Sequence, residues 1–312
     1  MPSNDTMIET GRLPSGHPYA RIGSGPRIVL SIPGLSFTAD VSKPASIRRW
    51  WKRWLEPIER HRLTVVDVGR RADLPSGSSS ADIADDYATV IREQWGSAVG
   101  VMGISTGGGY AQWLASRHPE LVDRLVLAYT GHRVPSEVAA LQRRAVDHVL
   151  AGRWRSGFAL MAPWVVPEHA RLASAAAWLL GPYITGRPSD LRVLRLDADA
   201  DDAHDATDAL GGIRCPTLVI SGGRDLAYPP DLTRELVAGL PDVRHVEYPN
   251  AGHGRGARFP EDACAFLAAD ELAQGQAAEL VLPLFASGQP DLAEHVDDAL
   301  GGLGDRILPA DG

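Results

Sequence analysis

Only two of the 312 residues are cysteines, Cys215 and Cys264, and they stand far apart in the chain. Two separated cysteines exclude a disulfide-built scaffold and a zinc site assembled from C-x-x-C pairs. A reducing compartment is the simplest setting for them. No run of eighteen consecutive apolar residues occurs, so no transmembrane helix is expected. The first twenty residues lack the basic start and apolar stretch of a secretory signal. Excess positive charge is missing too: 31 Lys and Arg face 39 Asp and Glu, for a net charge of −8. Binding a phosphate backbone needs clustered cations, so a large nucleic-acid footprint is not expected. H-E-x-x-H and Walker A sequences are lacking, which removes those metallopeptidase and phosphate-loop readings. A cytoplasmic protein is expected, with no nucleic acid and no membrane as partner; a homodimer stays open.

What the chain does have is a series of short, β-branched apolar runs. They are R-I-V-L-S-I (27–32), L-T-V-V-D-V (63–68), 98–104, L-V-L-A-Y (125–129), T-L-V-I-S (217–221) and the more polar V-R-H-V-E-Y (243–248). Near-continuous apolar runs bounded by turn residues suit strands buried on both faces, as in a parallel sheet. Helical patterns lie between most of them, which gives an α/β class, a doubly wound and mostly parallel sheet. The first such helix carries Ile47, Trp50, Trp51, Trp54, Leu55 and Ile58 on one stripe and Arg48, Arg49, Lys52 and Arg53 on the other face. A membrane-surface helix has this look. A crossover helix packing its tryptophans on the sheet fits better, because two core strands flank it.

Between Gly131 and Gly211 the strand–helix alternation stops, and helical patterns at 136–150 and 170–180 take over. This segment reads as an inserted helical cap. The division is then a core of residues 1–131 and 209–275, a cap of residues 132–208, and a C-terminal extension, 276–312, of unassigned role. Trp154, Phe158, Met161, Trp164, Trp178 and Tyr183 are expected to pack the cap on itself and on the core, some of them lining a pocket.

One short stretch concentrates the chemistry. In V-M-G-I-S-T-G-G-G-Y-A (101–111) a strand pattern meets a helix pattern, and G-x-S-x-G sits at the junction. A serine at such a turn is held in a strained conformation at the carboxyl edge of the sheet. Its neighbours two before and two after must be small, because backbone crowds them. The helix N-terminus beyond it offers N–H groups to a developing oxyanion. A serine hydroxyl needs a base to become a nucleophile. His253, in Y-P-N-A-G-H-G, follows the last strand pattern, and Asp225, in S-G-G-R-D, follows the strand pattern before it. All three therefore fall at the strand ends where ligands bind in open α/β sheets. The order Ser105, Asp225, His253 is the one this fold uses. The turn after the first core strand, S-I-P-G-L-S-F, supplies a second donor: the N–H of Leu35, alongside that of Thr106.

With these stretches together, residues from about 20 to 272 resemble the α/β-hydrolase superfamily. The resemblance rests on P-G-L, V-V-D-V-G-R-R-A-D-L-P-S-G, G-I-S-T-G-G-G-Y-A-Q-W-L-A-S-R-H-P-E, I-R-C-P-T-L-V-I-S-G-G-R-D and N-A-G-H-G. It implies Ser105 as nucleophile, Asp225 as acid and His253 as base, with the insertion as a cap over them. Pro33-Gly34 departs from the His-Gly that many members carry there. The activity expected is hydrolysis of a small or medium carboxylic ester through an acyl-enzyme, with no metal or organic cofactor. The same triad also serves C–C bond hydrolysis, thioester hydrolysis, acyl transfer or peroxyacid formation, and a ligand-binding receptor with vestigial catalysis is a further alternative.

Three weaker signals are set aside on their chemistry. Asp197, Asp199 and Asp201 follow the start of an EF-hand loop, but Asp202 and Asp208 replace the glycine and glutamate such a loop requires. They are expected to form a solvated acidic face. Gly23 and Gly25 begin a dinucleotide-loop pattern, but Ile28 replaces its third glycine and the pair precedes a strand. His132 and Arg255 lie near the active edge in sequence, without a role that the pattern assigns.

Overall fold

A computed structural model describes residues 8–35, 51–185 and 190–269. The strand patterns converge in an eight-stranded sheet, with β1 Ile8–Arg12, β2 Pro18–Ile22, β3 Arg27–Ile32, β4 Leu63–Val68, β5 Val99–Ile104, β6 Val122–Ala128, β7 Thr217–Gly222 and β8 Val243–Tyr248. Their order is β1-β2-β4-β3-β5-β6-β7-β8. The strands from β3 to β8 pair in parallel, and β1 and β2 add an antiparallel edge through β4. The sheet is thus the mostly parallel one read from the sequence. The β1–β2 hairpin was not foreseen, because both strands are short and partly exposed and show no long apolar run.

Alternation along each strand divides the core between the two faces of the sheet. Leu30, Val66 and Val101 pack on one side with Ile83, Tyr87, Tyr110 and Leu114. Their neighbours Val29, Val65 and Met102 pack on the other with Trp51, Trp54, Ile58 and Phe259. Burial on both faces explains why these strands read as continuous apolar runs. The crossover reading of the tryptophan segment holds for its described part. Trp51 and Trp54 are buried against Phe259, and the helix α1 follows at Leu55–Arg60. Ile47, Arg48, Arg49 and Trp50 lie outside the described residues, as does the extension 276–312.

The sheet is flanked by α2 (Ser80–Gln94), α3 (Thr106–Arg117), α8 (Pro230–Gly239) and α9 (Phe259–Ala268). Ser79 and Asp82 start α2 with a reciprocal capping box. Between β6 and β7 come α4 (Ser136–Leu150), α5 (Trp154–Val165), α6 (Ala170–Thr185) and α7 (Leu191–Asp202). Ala145, Val146, Val149, Phe158, Leu194 and Ala198 form a cluster of their own within these helices, and Leu35 of the core packs against it. Trp164 packs on Tyr228 and Leu232, which follow β7. Trp178, expected to pack inward, is 45% exposed, with the Arg155 guanidinium over its ring. The side chain of Tyr183 lies outside the description.

Candidate active site

The strand β5 ends at Ile104, and Ser105 turns the chain into α3 with φ 53° and ψ −126°. A non-glycine residue in this region costs about 1–3 kcal/mol, and surrounding structure must impose it. Here the imposition is visible. Ser105 N–H donates to Ala128 O at 2.9 Å, and Gly108 N–H donates back to Ser105 O at 2.7 Å. The reason for glycine at 107 is contact: a Cβ there would meet Ile32 O at 2.2 Å and Pro33 O at 2.6 Å. The first turn of α3 therefore lies directly on the end of β3. Gly108 makes the first bond of the helical ladder, so the N–H groups of Thr106 and Gly107 precede it.

His253 and Asp225 reach the same place from loops after β8 and β7. His253 Nε2 lies 3.1 Å from Ser105 Oγ, and His253 Nδ1 lies 2.8 Å from Asp225 Oδ2. The buried Asp225 is fixed by its other oxygen, which accepts from the N–H groups of Ala227 (2.8 Å) and Tyr228 (3.1 Å). With an aspartate at Nδ1, the imidazole carries its proton there and presents Nε2 as an acceptor to the serine. Three further contacts hold the ring and its loop. Tyr228 stacks on it at 6.0 Å, Tyr129 meets it edge-on at 5.8 Å, and the backbone N–H of His253 donates to Trp164 O of α5 at 2.8 Å. The Tyr129 hydroxyl accepts from Gly256 N–H at 2.7 Å, which ties down the segment after the histidine. Burial pushes the Tyr129 phenol up to about 12, so it stays neutral. Burial also raises the Tyr228 phenol, Asp201 and Asp225 add to this, and the nearby Ser105 hydroxyl works against it.

The structure brings the sequence-derived residues Ser105, Asp225 and His253 into one relay. It also sets the turn carrying Leu35 against the serine: a Cβ on Gly34 would lie 3.0 Å from Ser105 Cβ. Thr106 is buried at the start of α3. His132 is buried beside Glu235, 3.5 Å away, and Arg255 is exposed; neither joins the relay.

Several residues of the site's surroundings were not anticipated. Asp197 and Asp201 do not form a solvated face. They stand one turn apart on the buried side of α7, where Asp197 meets Arg70 and Tyr110, and Asp201 accepts from Gln142 Nε2 at 2.7 Å. Burial lifts the Asp201 carboxyl to about 7, and Asp197 adds to the shift. Gln142 opposes it, as does the Thr106 hydroxyl, which is close by but outside hydrogen-bonding geometry. A signal was available: Val193, Leu194, Asp197, Ala198 and Asp201 share one helical stripe, so the two acids interrupt an apolar face. His204 is likewise buried, its ring against the first turn of α3 at Gly109, and desolvation lowers it to about 4.

A second Ser–His–Asp arrangement shows what geometry alone is worth. Ser15 Oγ lies 2.9 Å from His17 Nδ1, and His17 Nε2 lies 2.8 Å from Asp86 Oδ2. Ser15 sits in the turn between β1 and β2, with no helix starting beside it, and Arg71 also binds Asp86. The relay at Ser105 differs in having a helix N-terminus and the 33–35 turn against its hydroxyl. Among the described residues no group of three His, Cys, Asp or Glu is arranged to hold a metal ion.

Comparison with known proteins agrees with the fold. The sequence model of the hydrolase family described as serine aminopeptidase, S33, matches residues 66–255. A pimeloyl-[acyl-carrier protein] methyl ester esterase of Chromobacterium violaceum is 30% identical over 196 residues, 58% of this chain and 74% of that protein. A protein of Caulobacter sp. (strain K31), provisionally named carbamate hydrolase RutD, is 28% identical over 226 residues, 68% of this chain and 81% of its own length. The crystal structure of an enol-lactonase from Burkholderia xenovorans LB400 superposes with a TM-score of 0.65 at 21% identity, covering 84% of this chain and 100% of that one.

Proposed function

The chain belongs to the serine aminopeptidase S33 family of α/β-fold hydrolases, and on that premise we propose that it cleaves a small or medium carboxylic ester through an acyl-enzyme on Ser105. The observation that carries this reading is the continuous relay from Asp225 through His253 to a strained serine at a helix N-terminus. Ser105 Oγ attacks the carbonyl carbon while His253 Nε2 takes its proton. Asp225 keeps the imidazole in the required tautomer and stabilises its cation. The N–H groups of Leu35 and Thr106 receive the oxyanion, where preorganised donors act most strongly. The tetrahedral intermediate collapses, the ester C–O bond breaks, and His253 gives the proton to the leaving alcohol. Water, deprotonated by His253, then attacks the acyl carbon, the C–Oγ bond breaks, the carboxylic acid leaves, and His253 returns the proton to Ser105 Oγ.

The helices α4 to α7 serve as the cap. They place Trp164 over the loops that carry Asp225 and His253, and the apolar side chains of α5 favour an uncharged acyl group. A methyl ester and a carbamate, the groups named for the two relatives, share a carbonyl flanked by a heteroatom leaving group. Such a carbonyl suits this site. The test is intact-mass analysis after treatment with a fluorophosphonate, followed by a panel of esters and carbamates. A single adduct on the wild type and none on Ser105→Ala, with turnover lost in the variant, is expected. Turnover that survives in Ser105→Ala would remove the assignment.

A further inference from the structure

The relay explains how Ser105 is activated, but not what aims the turn that faces it. The residues 33–35 form an irregular connection, and a peptide plane in such a connection is free to rotate unless something holds its carbonyl. Arg70, just beyond β4, holds two of them. Its Nη1 donates to Pro33 O at 2.6 Å and its Nη2 donates to Gly34 O at 3.1 Å. The rest of the guanidinium is taken by Asp197 of α7, with Nε to Oδ1 at 2.6 Å and Nη2 to Oδ2 at 2.6 Å. Tyr110, from the first turns of α3, donates its hydroxyl to Asp197 Oδ1 at 3.1 Å, and its ring lies 5.2 Å beneath the Arg70 guanidinium carbon. Arg70, Asp197 and Tyr110 are all buried.

We infer that Arg70 is a positioning residue for the oxyanion site and that Asp197 is its anchor, so the helical insertion helps to set the direction of the Leu35 N–H. The argument follows from peptide geometry. Every described peptide bond is trans, and in a planar trans peptide the C=O and the next N–H point in opposite directions. Drawing Gly34 O toward Arg70 therefore turns the N–H of Leu35 away from Arg70, and Ser105 lies against the turn at Gly34. Holding two successive carbonyls and a carboxylate at once needs a planar, forked cation. A lysine ammonium offers no such fork. Arg70 touches no reacting atom; it acts through the backbone of residues 33–35.

This inference rests on the serine-hydrolase reading, and the experiment separates the two. Uniformly 15N-leucine-labelled protein is treated with a fluorophosphonate, and the Leu35 amide is assigned by its loss in Leu35→Ile. In the wild type, phosphonylation of Ser105 is expected to move the Leu35 amide proton downfield as it bonds the phosphoryl oxygen. Arg70→Lys, and the neutral pair Arg70→Gln with Asp197→Asn, should keep the fold by near-ultraviolet circular dichroism and lose that shift. Their kcat and phosphonylation rate should fall by about 100-fold, the loss typical of one oxyanion donor, while KM stays within about 3-fold. Should those variants fail to fold, Asp197→Asn alone, which leaves a carbonyl oxygen for Nε, is expected to weaken the Leu35 shift in the same direction. An unmoved Leu35 amide in phosphonylated wild type, or folded variants with wild-type kcat, would overturn the positioning role and leave the relay standing. A wild type that takes no label at Ser105 overturns the serine-hydrolase reading, and this inference with it.

Discussion

The carboxylate of Asp225 is shared out atom by atom: Oδ2 meets His253 Nδ1 at 2.8 Å, while Oδ1 is held by the N–H groups of Ala227 and Tyr228. Replacing it with asparagine therefore has a defined outcome. The backbone donors select the amide oxygen, which leaves the NH2 group facing His253. The imidazole must then accept at Nδ1 and carry its proton on Nε2, where it can no longer take one from Ser105. Asp225→Asn is expected to lower kcat by about 10⁴-fold with little change in KM. Steady-state kinetics on a cleaved ester test this, and a loss below tenfold would show that the tautomer is not set by Asp225.

The backbone of Ser105 makes a prediction about stability. At φ 53° a side chain is strained, and glycine is not. Inside a helix or strand a glycine is less stable than an alanine by about 0.5–1 kcal/mol. Here the order should reverse, with Ser105→Gly more resistant to urea than Ser105→Ala by roughly 1 kcal/mol. Equal midpoints would mean that the turn relaxes without strain.

Steric contact at Gly107 can be weighed against an open glycine. A Cβ at 107 has no room, since backbone carbonyls of Ile32 and Pro33 stand within 2.6 Å. At Gly211 nothing lies within 4 Å. Gly107→Ala should cost about 3 kcal/mol or more and displace the 33–35 turn, whereas Gly211→Ala should stay within about 0.5 kcal/mol of wild type. Denaturation curves of the two variants decide it, and similar midpoints would contradict the close approach.

Asp201 links the insertion to pH. Its folded carboxyl titrates near 7, against an ordinary value of 3.8. Between those values the folded protein holds a proton that the unfolded chain has lost, so this group's contribution to stability falls as pH rises and levels off above about 7. Asparagine removes that dependence and still offers an oxygen to Gln142. Relative to wild type, Asp201→Asn should gain roughly 2–4 kcal/mol between pH 4 and pH 8. A difference that does not change with pH would show that the carboxyl is solvated.

The core sheet and the three relay residues were legible in the sequence for one physical reason. Buried parallel strands must be apolar throughout, and the loops at their carboxyl ends are local, so Ser105, Asp225 and His253 could be placed by counting strands. The surroundings were not legible, because they depend on contacts between distant segments. Asp197 reads as a surface acid until Arg70, far from it in sequence, is seen beside it. The β1–β2 hairpin is hidden similarly, since it owes its place to pairing with β4 and not to its own short pattern.

The hydrogen bond from His253 N–H to Trp164 O bears on how such an enzyme can change. The residue that would handle the proton takes part of its support from a carbonyl in the segment that would choose the substrate. Asp197 ties that segment to Arg70 as well. Residues 136–202 are therefore not an exchangeable module. A chimera that imports a relative's helices loses the contacts to His253 N–H and to Arg70 unless it also brings an acceptor where Trp164 O stands and an acid where Asp197 stands. Changing a single side chain of α4 or α5 leaves both contacts in place, since one is made by a backbone carbonyl and the other by α7.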